Sequence, residues 1–176
     1  MSPSEAAKLV ALFKMHADHN QHGPELVEMW ALAMDDIPYP AAMVAYKHWI
    51  RTHKWFPKPS EIREIVNEKV FGIPSIEAAK AQLERNLREN YPGQPVRYTP
   101  DPLVIEAYRA VGGRSAFSSV QSRREDDSLW QRFVTVYQEL RDERLESIDY
   151  VAEFAALSTG SSPNGQHAAL EGSVRS

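Results

Sequence analysis

Apolar residues recur three and four positions apart along most of this chain, the spacing of one face of an α-helix. Ser2-Pro3-Ser4-Glu5 reads as a helix start, with Ser2 as N-cap and Glu5 three residues on, the pattern of a capping box. Leu9, Leu12, Phe13 and His16 follow at helical spacing, so residues 3–17 are expected to form the first helix. Gly23-Pro24 restarts the chain, and Leu26, Val27, Trp30, Leu32 and Ala33 give a second helix its apolar face. Pro38 and Pro40 are expected to stop it, because proline lacks the N–H and crowds the preceding turn. Met43, Val44, Tyr46, Lys47 and Ile50 continue as a third helix to about Thr52. After the hinge Lys54-Trp55-Phe56-Pro57-Lys58-Pro59, Ser60 is expected to cap a fourth helix reaching about Val70, with Ile62, Ile65 and Val66 inward. Gly72 and Pro74 end it, and no convincing period-two alternation occurs that would argue for a strand.

The second half changes character. Ser75 caps a stretch rich in Ala, Glu, Arg and Leu up to Asn90, and Tyr91-Pro92-Gly93-Gln94-Pro95 breaks it, opening a linker over about 91–100. Asp101-Pro102 starts another helix, which the pair Gly112-Gly113 ends, where positive φ costs little. Arg123–Glu146 carries Leu129, Trp130, Phe133, Val136, Tyr137 and Leu140 at helical spacing, a long amphipathic helix. Ile148, Val151, Phe154 and Ala155 then form a short apolar stripe, either a last core turn or a helix that docks into a partner's groove. The expected fold is all-α: a small N-terminal helical bundle over 1–72, a second helical region over 75–157, and a disordered polar tail over 158–176.

Composition narrows the function classes. With 176 residues and 43% hydrophobic content the chain has enough material for a core. The net charge of −4 argues against a polyanion binder by bulk electrostatics, yet the charge is unevenly placed. Between Asp36 and Glu61 there is no acidic residue, while Lys47, Arg51, Lys54 and Lys58 all fall there with His48 and His53 beside them; from Glu125 onward acids lead. The chain has no cysteine, which removes disulfides, thiolate nucleophiles and Cys-based zinc sites. The opening residues are too charged for a signal peptide, and no apolar run approaches the roughly 20 residues of a membrane span, so a soluble cytoplasmic protein is expected.

Four constellations bear on chemistry. Lys54-Trp55-Phe56-Pro57-Lys58 interleaves aromatics and cations, an arrangement suited to stacking on single-stranded bases, unless Trp55 and Phe56 fold back as core plugs. His16, His19 and His22, with Asp18 and Glu25 near, make a two-His-plus-carboxylate metal site thinkable, but a polar helix end explains them better, so no metal is expected. Glu125-Asp126-Asp127 at a helix start suits the helix dipole. Neither Gly-x-x-x-x-Gly-Lys-[Ser/Thr] nor Gly-x-Ser-x-Gly occurs, and an enzyme is not expected.

Trp30, the Asp36-Ile37-Pro38-Tyr39 corner, Ala45, Trp49, Thr52 and Trp55-Phe56-Pro57 before Ser60-Glu61-Ile62 stand in an order that resembles the N-terminal domain of bacteriophage helicase loaders, the loader-and-inhibitor family. Asp101-Pro102-Leu103-Val104, Ala110-Val111-Gly112-Gly113, Arg132-Phe133 and Tyr137 are similar to the C-terminal segment of phage loader and replisome-organiser proteins, except that Arg114 stands where those place an aromatic residue. The resemblance implies a non-enzymatic adaptor without cofactor. Such a protein binds a hexameric DnaB-type replicative helicase in its ATP-bound state, restrains it, and loads it onto DNA at a phage origin in the host cytoplasm. Origin-binding and single-strand DNA-binding proteins are the further partners it implies. Helicase contact in that family lies in the C-terminal part, which here makes Arg114, Trp130, Phe133, Tyr137, Val151 and Phe154 the candidates, with core and contact roles unseparated. The alternative reading is a DNA-binding replication or regulatory module using Lys47, Arg51, Lys54, Trp55 and Lys58, although the third helix offers no Asn or Gln to read bases.

Overall fold

Capping residues and prolines decide where the helices of this protein begin. The computed structural model describes residues 1–17, 23–119 and 123–160, and all regular structure among them is helical. The helices are α1 (Pro3–Ala17), α2 (Pro24–Ala33), α3 (Tyr39–Thr52), α4 (Pro59–Lys69), α5 (Ile76–Glu89), α6 (Pro102–Ala110), α7 (Gly113–Ser118), α8 (Arg123–Ser147) and α9 (Tyr150–Ser158). Packing divides the chain into two units. One holds Met1–Phe71 and the stretch that opens at Asp149; the other holds Gly72–Ile148.

In the first unit, α1 starts as its sequence predicts: the Ser2 N–H donates to the Glu5 carboxylate at 2.7 Å and the Glu5 N–H to Ser2 Oγ at 3.3 Å. α2 ends at Ala33, well before Pro38, and the connection buries Met34 and Ile37. α4 starts earlier than expected. Lys58, not Ser60, is the cap residue, Pro59 sits in the first turn where its missing N–H is harmless, and Glu61 accepts the Lys58 N–H at 2.7 Å. Leu9, Phe13, Trp30, Ala45, Ile62 and Val66 are fully buried between these helices. Phe13 is the hub, with ring centroids 5.5 Å from Trp30, 5.1 Å from Tyr46 and 6.0 Å from Phe56.

The sequence grouped α9 with the second helical region, whereas it packs with the first unit. The reason is Tyr150, buried, whose hydroxyl donates to Asn67 Oδ1 at 2.8 Å and whose ring meets Phe71 at 5.1 Å. Arg63 stacks over the same ring at 5.7 Å and forms a bidentate pair with Asp36 at 2.7 Å. Burial alone would raise the Asp36 pKa, but the Arg63 hydrogen bonds and charge outweigh it and hold the carboxyl below its ordinary value.

The second unit buries Ala79, Leu83, Val104, Ala107, Val111, Leu129, Phe133 and Tyr137 among α5, α6 and α8. Ser75 caps α5 by accepting the Ala78 N–H at 3.1 Å, and Asp101 caps α6 by accepting the Leu103 N–H at 2.9 Å. Residues 91–100 are not helical, as expected of a linker, but both ends are tied down inside this unit. Asn90 Oδ1 accepts the N–H groups of Arg97 and Tyr98 at 2.8 and 3.1 Å, Arg85 stacks on the Tyr98 ring at 4.2 Å, and the Asp101 N–H reaches Gln82 Oε1 at 2.8 Å. Gly112 and Gly113 take φ of +103° and +59°, ending α6 and turning directly into α7, a helix the sequence did not announce. Of the predicted disordered tail, residues 161–176 lie outside those described; Ser158 completes α9 and Thr159 caps it.

Candidate interaction surfaces

The end of α3 and the hinge before α4 carry the predicted basic corner. Lys47 and Arg51 lie one turn apart on α3, Lys54 and Trp55 follow its C-terminus, and Lys58 caps α4; all five side chains are exposed. None of the four cations forms an ion pair among the described residues. The two aromatics of the hinge part company. Phe56 is a half-buried plug against Phe13 and Trp30, the latter at 5.9 Å, whereas Trp55 stays 59% exposed. What fixes Trp55 is its backbone, since buried Trp49 donates from Nε1 to the Trp55 carbonyl at 2.9 Å. The His53 ring stacks on Trp49 at 3.8 Å with planes 10° apart and meets Trp55 edge-on at 4.9 Å. His16 at the end of α1 donates from Nε2 to the His53 carbonyl at 2.8 Å, which leaves it a local structural role. His19, His22 and Asp18, the other members of the predicted histidine cluster, lie outside the described residues.

The residues expected to contact a helicase are sorted by burial. Phe133 and Tyr137 are fully buried in the second unit's core, the Tyr137 hydroxyl donating to the Pro74 carbonyl at 2.7 Å, so neither presents a surface. Arg114 turns inward as well: its guanidinium donates to the carbonyls of Asn90 and, at 3.5 Å, Leu87, where it satisfies the C-terminal carbonyls of α5. This is why an arginine suits the position after the glycine pair. Trp130 is half-buried, edge-on to Phe117 at 5.2 Å and Phe133 at 5.9 Å, and its outer part lines an open groove. That groove, about 660 Å³, runs between α5 and α8 and is lined by Lys80, Glu84, Asp127, Trp130, Gln131, Val134 and Thr135. Val151 and Phe154 belong to the first unit, Val151 being 62% exposed and Phe154 half-buried. The six candidates therefore do not converge on one surface of one unit.

Known protein families, curated proteins and solved structures offer no match to this chain. Among the described residues, no three histidine or acidic side chains gather as a metal site, and no helix is long and apolar enough to cross a membrane. Sequence reading missed the groove, because Lys80 and Glu84 lie on an anonymous charged helix whose partner face only packing reveals. It also missed a patch on α2. Met29 and the largely exposed Leu32 are one turn apart there, with exposed Glu25, Glu28 and Asp35 around them in the chain.

Proposed function

We propose that this protein is a non-enzymatic adaptor of the phage helicase-loader type, binding a hexameric DnaB-type replicative helicase in its ATP-bound state and delivering it to origin DNA. One observation carries the reading. Five of the residues in which the chain resembles loaders, Trp30, Ile37, Ala45, Trp49 and Ile62, are buried in the first unit, where they form part of its core. Side chains that form one packed core are tied to each other by volume and register, so a shared order of them marks a shared fold more strongly than scattered surface matches would. The α5–α8 groove of the second unit has chemistry suited to such an interface, a half-buried tryptophan rimmed by Lys80, Glu84 and Asp127. Aromatic anchors inside a charged rim are the usual energetic centre of protein interfaces.

The test is gel filtration of the full chain with a DnaB-type hexamer, in ATP and in ADP, alongside the helicase's unwinding rate. A complex that forms in ATP and slows unwinding is expected. A chain that neither co-elutes with the hexamer in ATP nor alters unwinding removes the reading. Trp130→Ala, which trims the groove without emptying the Phe133 site, should weaken the complex at least tenfold if the groove is the contact.

A further inference from the structure

We infer that the corner between α3 and α4 binds single-stranded nucleic acid, with the Trp55 indole as a base-stacking platform and Arg51, Lys54 and Lys58 as phosphate contacts. Lys47, one turn before Arg51 on α3, adds a further exposed cation. The inference stands apart from the helicase reading, because it uses the first unit's surface alone.

An exposed tryptophan is usually free to turn, and ordering it on binding then costs conformational entropy. Here the segment is held in advance. Trp49 Nε1 donates to the Trp55 carbonyl at 2.9 Å, the Trp49 and His53 rings abut the Trp55 ring at 6.1 and 4.9 Å, and Pro57 and Pro59 restrict the chain beyond. The hinge keeps Phe56 as its core plug, yet leaves the larger and more polar ring in water. Cations flank it along the chain. Lys54 is its neighbour, Lys58 is three residues on, Arg51 sits in the last turn of α3, and residues 37–60 contain no acid. Glu61, the first acid after them, is drawn into the start of α4 by the Lys58 N–H at 2.7 Å.

These features select a ligand class. A flat ring meets only an unstacked base, so a single strand fits where a duplex does not. α3 presents Lys47, His48 and Arg51 but no Asn or Gln for base edges, so contact should tolerate any sequence. Because the whole chain carries a net charge of −4, attraction of a polyanion has to be local, and the acid-free stretch supplies it.

Fluorescence anisotropy of the full chain with labelled oligo-deoxythymidine, and with a matched duplex, tests this. The single strand should bind more tightly. With three or four phosphates engaged, affinity should fall about 20- to 50-fold between 50 and 200 mM salt. Trp55→Ala should weaken single-strand binding roughly fivefold or more while keeping the salt slope, and Trp55→Tyr should restore much of it. Lys54→Glu with Lys58→Glu should weaken binding and flatten the slope. Unchanged far-UV circular dichroism verifies that these surface variants fold. No binding at 50 mM salt with protein up to roughly 100 µM overturns the inference. So does equal affinity for duplex combined with indifference to Trp55→Ala, which would mark a diffuse cationic attraction without stacking. Either failure leaves co-elution with a helicase untouched, so the two readings fail separately.

Discussion

Removing one oxygen atom should loosen α9 of the first unit. Tyr150 is 6% exposed, and its hydroxyl donates at 2.8 Å to Asn67 Oδ1, on a side chain itself 2% exposed. Tyr150→Phe deletes the donor and leaves a buried amide oxygen without it, a loss of about 1–3 kcal/mol. Tyr150→Ala also discards the ring that meets Phe71 at 5.1 Å and carries Arg63 at 5.7 Å, which raises the loss to about 3–5 kcal/mol. Replacing both partners, Tyr150→Phe with Asn67→Leu, should cost clearly less than the sum of the single changes, because no polar atom is then stranded. The readout is amide hydrogen exchange in α9, since global melting would blend two units with separate cores. Loss of about 1.4 kcal/mol accelerates exchange tenfold where opening of α9 is local. Burial raises the Tyr150 pKa, Arg63 and Asn67 only partly opposing it, so the hydroxyl binds its proton more tightly in the folded state. Its stabilisation is therefore complete below the ordinary tyrosine range and fades as pH rises through the folded value; Tyr150→Phe should abolish that alkaline loss. Exchange and stability within about 0.3 kcal/mol of the parent for Tyr150→Phe would refute the reasoning.

Other expectations follow from the same contacts. Asp36→Asn should cost no more than about 1 kcal/mol, because the Asp36–Arg63 pair is partly exposed and screened. Since the Asp36 pKa is lowered, what the pair gives is present above the unfolded carboxyl value and is lost as pH falls through the folded one, visible as an acid shoulder in unfolding that Asp36→Asn removes. Phe133→Ala should destabilise the second unit by about 3–5 kcal/mol, read as faster amide hydrogen exchange in α8, so it cannot separate a contact role from a core role. Arg114→Ala should destabilise the second unit by roughly 1–3 kcal/mol for the carbonyls it leaves bare at the end of α5, read as faster amide hydrogen exchange in α5, and Arg114→Lys should recover only part. Gly112→Ala should cost about 1–2 kcal/mol by hydrogen exchange in α6, as φ is +103° and the new Cβ would meet the Ala116 Cβ at 3.0 Å.

Much of this was legible in the residues. Ser2, Ser75 and Asp101 cap the helices they precede, and their side chains do so by local bonds that need no tertiary knowledge. The Arg123–Glu146 stripe folded as one helix for the same reason, its period being intrinsic. What failed to show was long-range. Tyr150 reads as one more apolar residue of a short stripe until Asn67, 83 positions earlier, accepts its hydroxyl. Arg114 reads as a contact residue because nothing nearby in the chain announces the bare carbonyls of α5. Trp55 and Phe56 are adjacent and similar, and only the room left beside Phe13 and Trp30 decides which one is buried.

The first unit's two-part make-up governs how the chain can be born. A ribosome completes α1 to α4 early, but the helix that covers Asn67 and Phe71 emerges about 80 residues later, a delay of roughly 4–16 s at ordinary translation rates. During that interval the nascent bundle is unfinished while the whole of Gly72–Ile148 is synthesised and can close on its own core. A chaperone would meet this protein first as an incomplete bundle, and the nine-residue helix α9 would act as the latch that ends that vulnerable period.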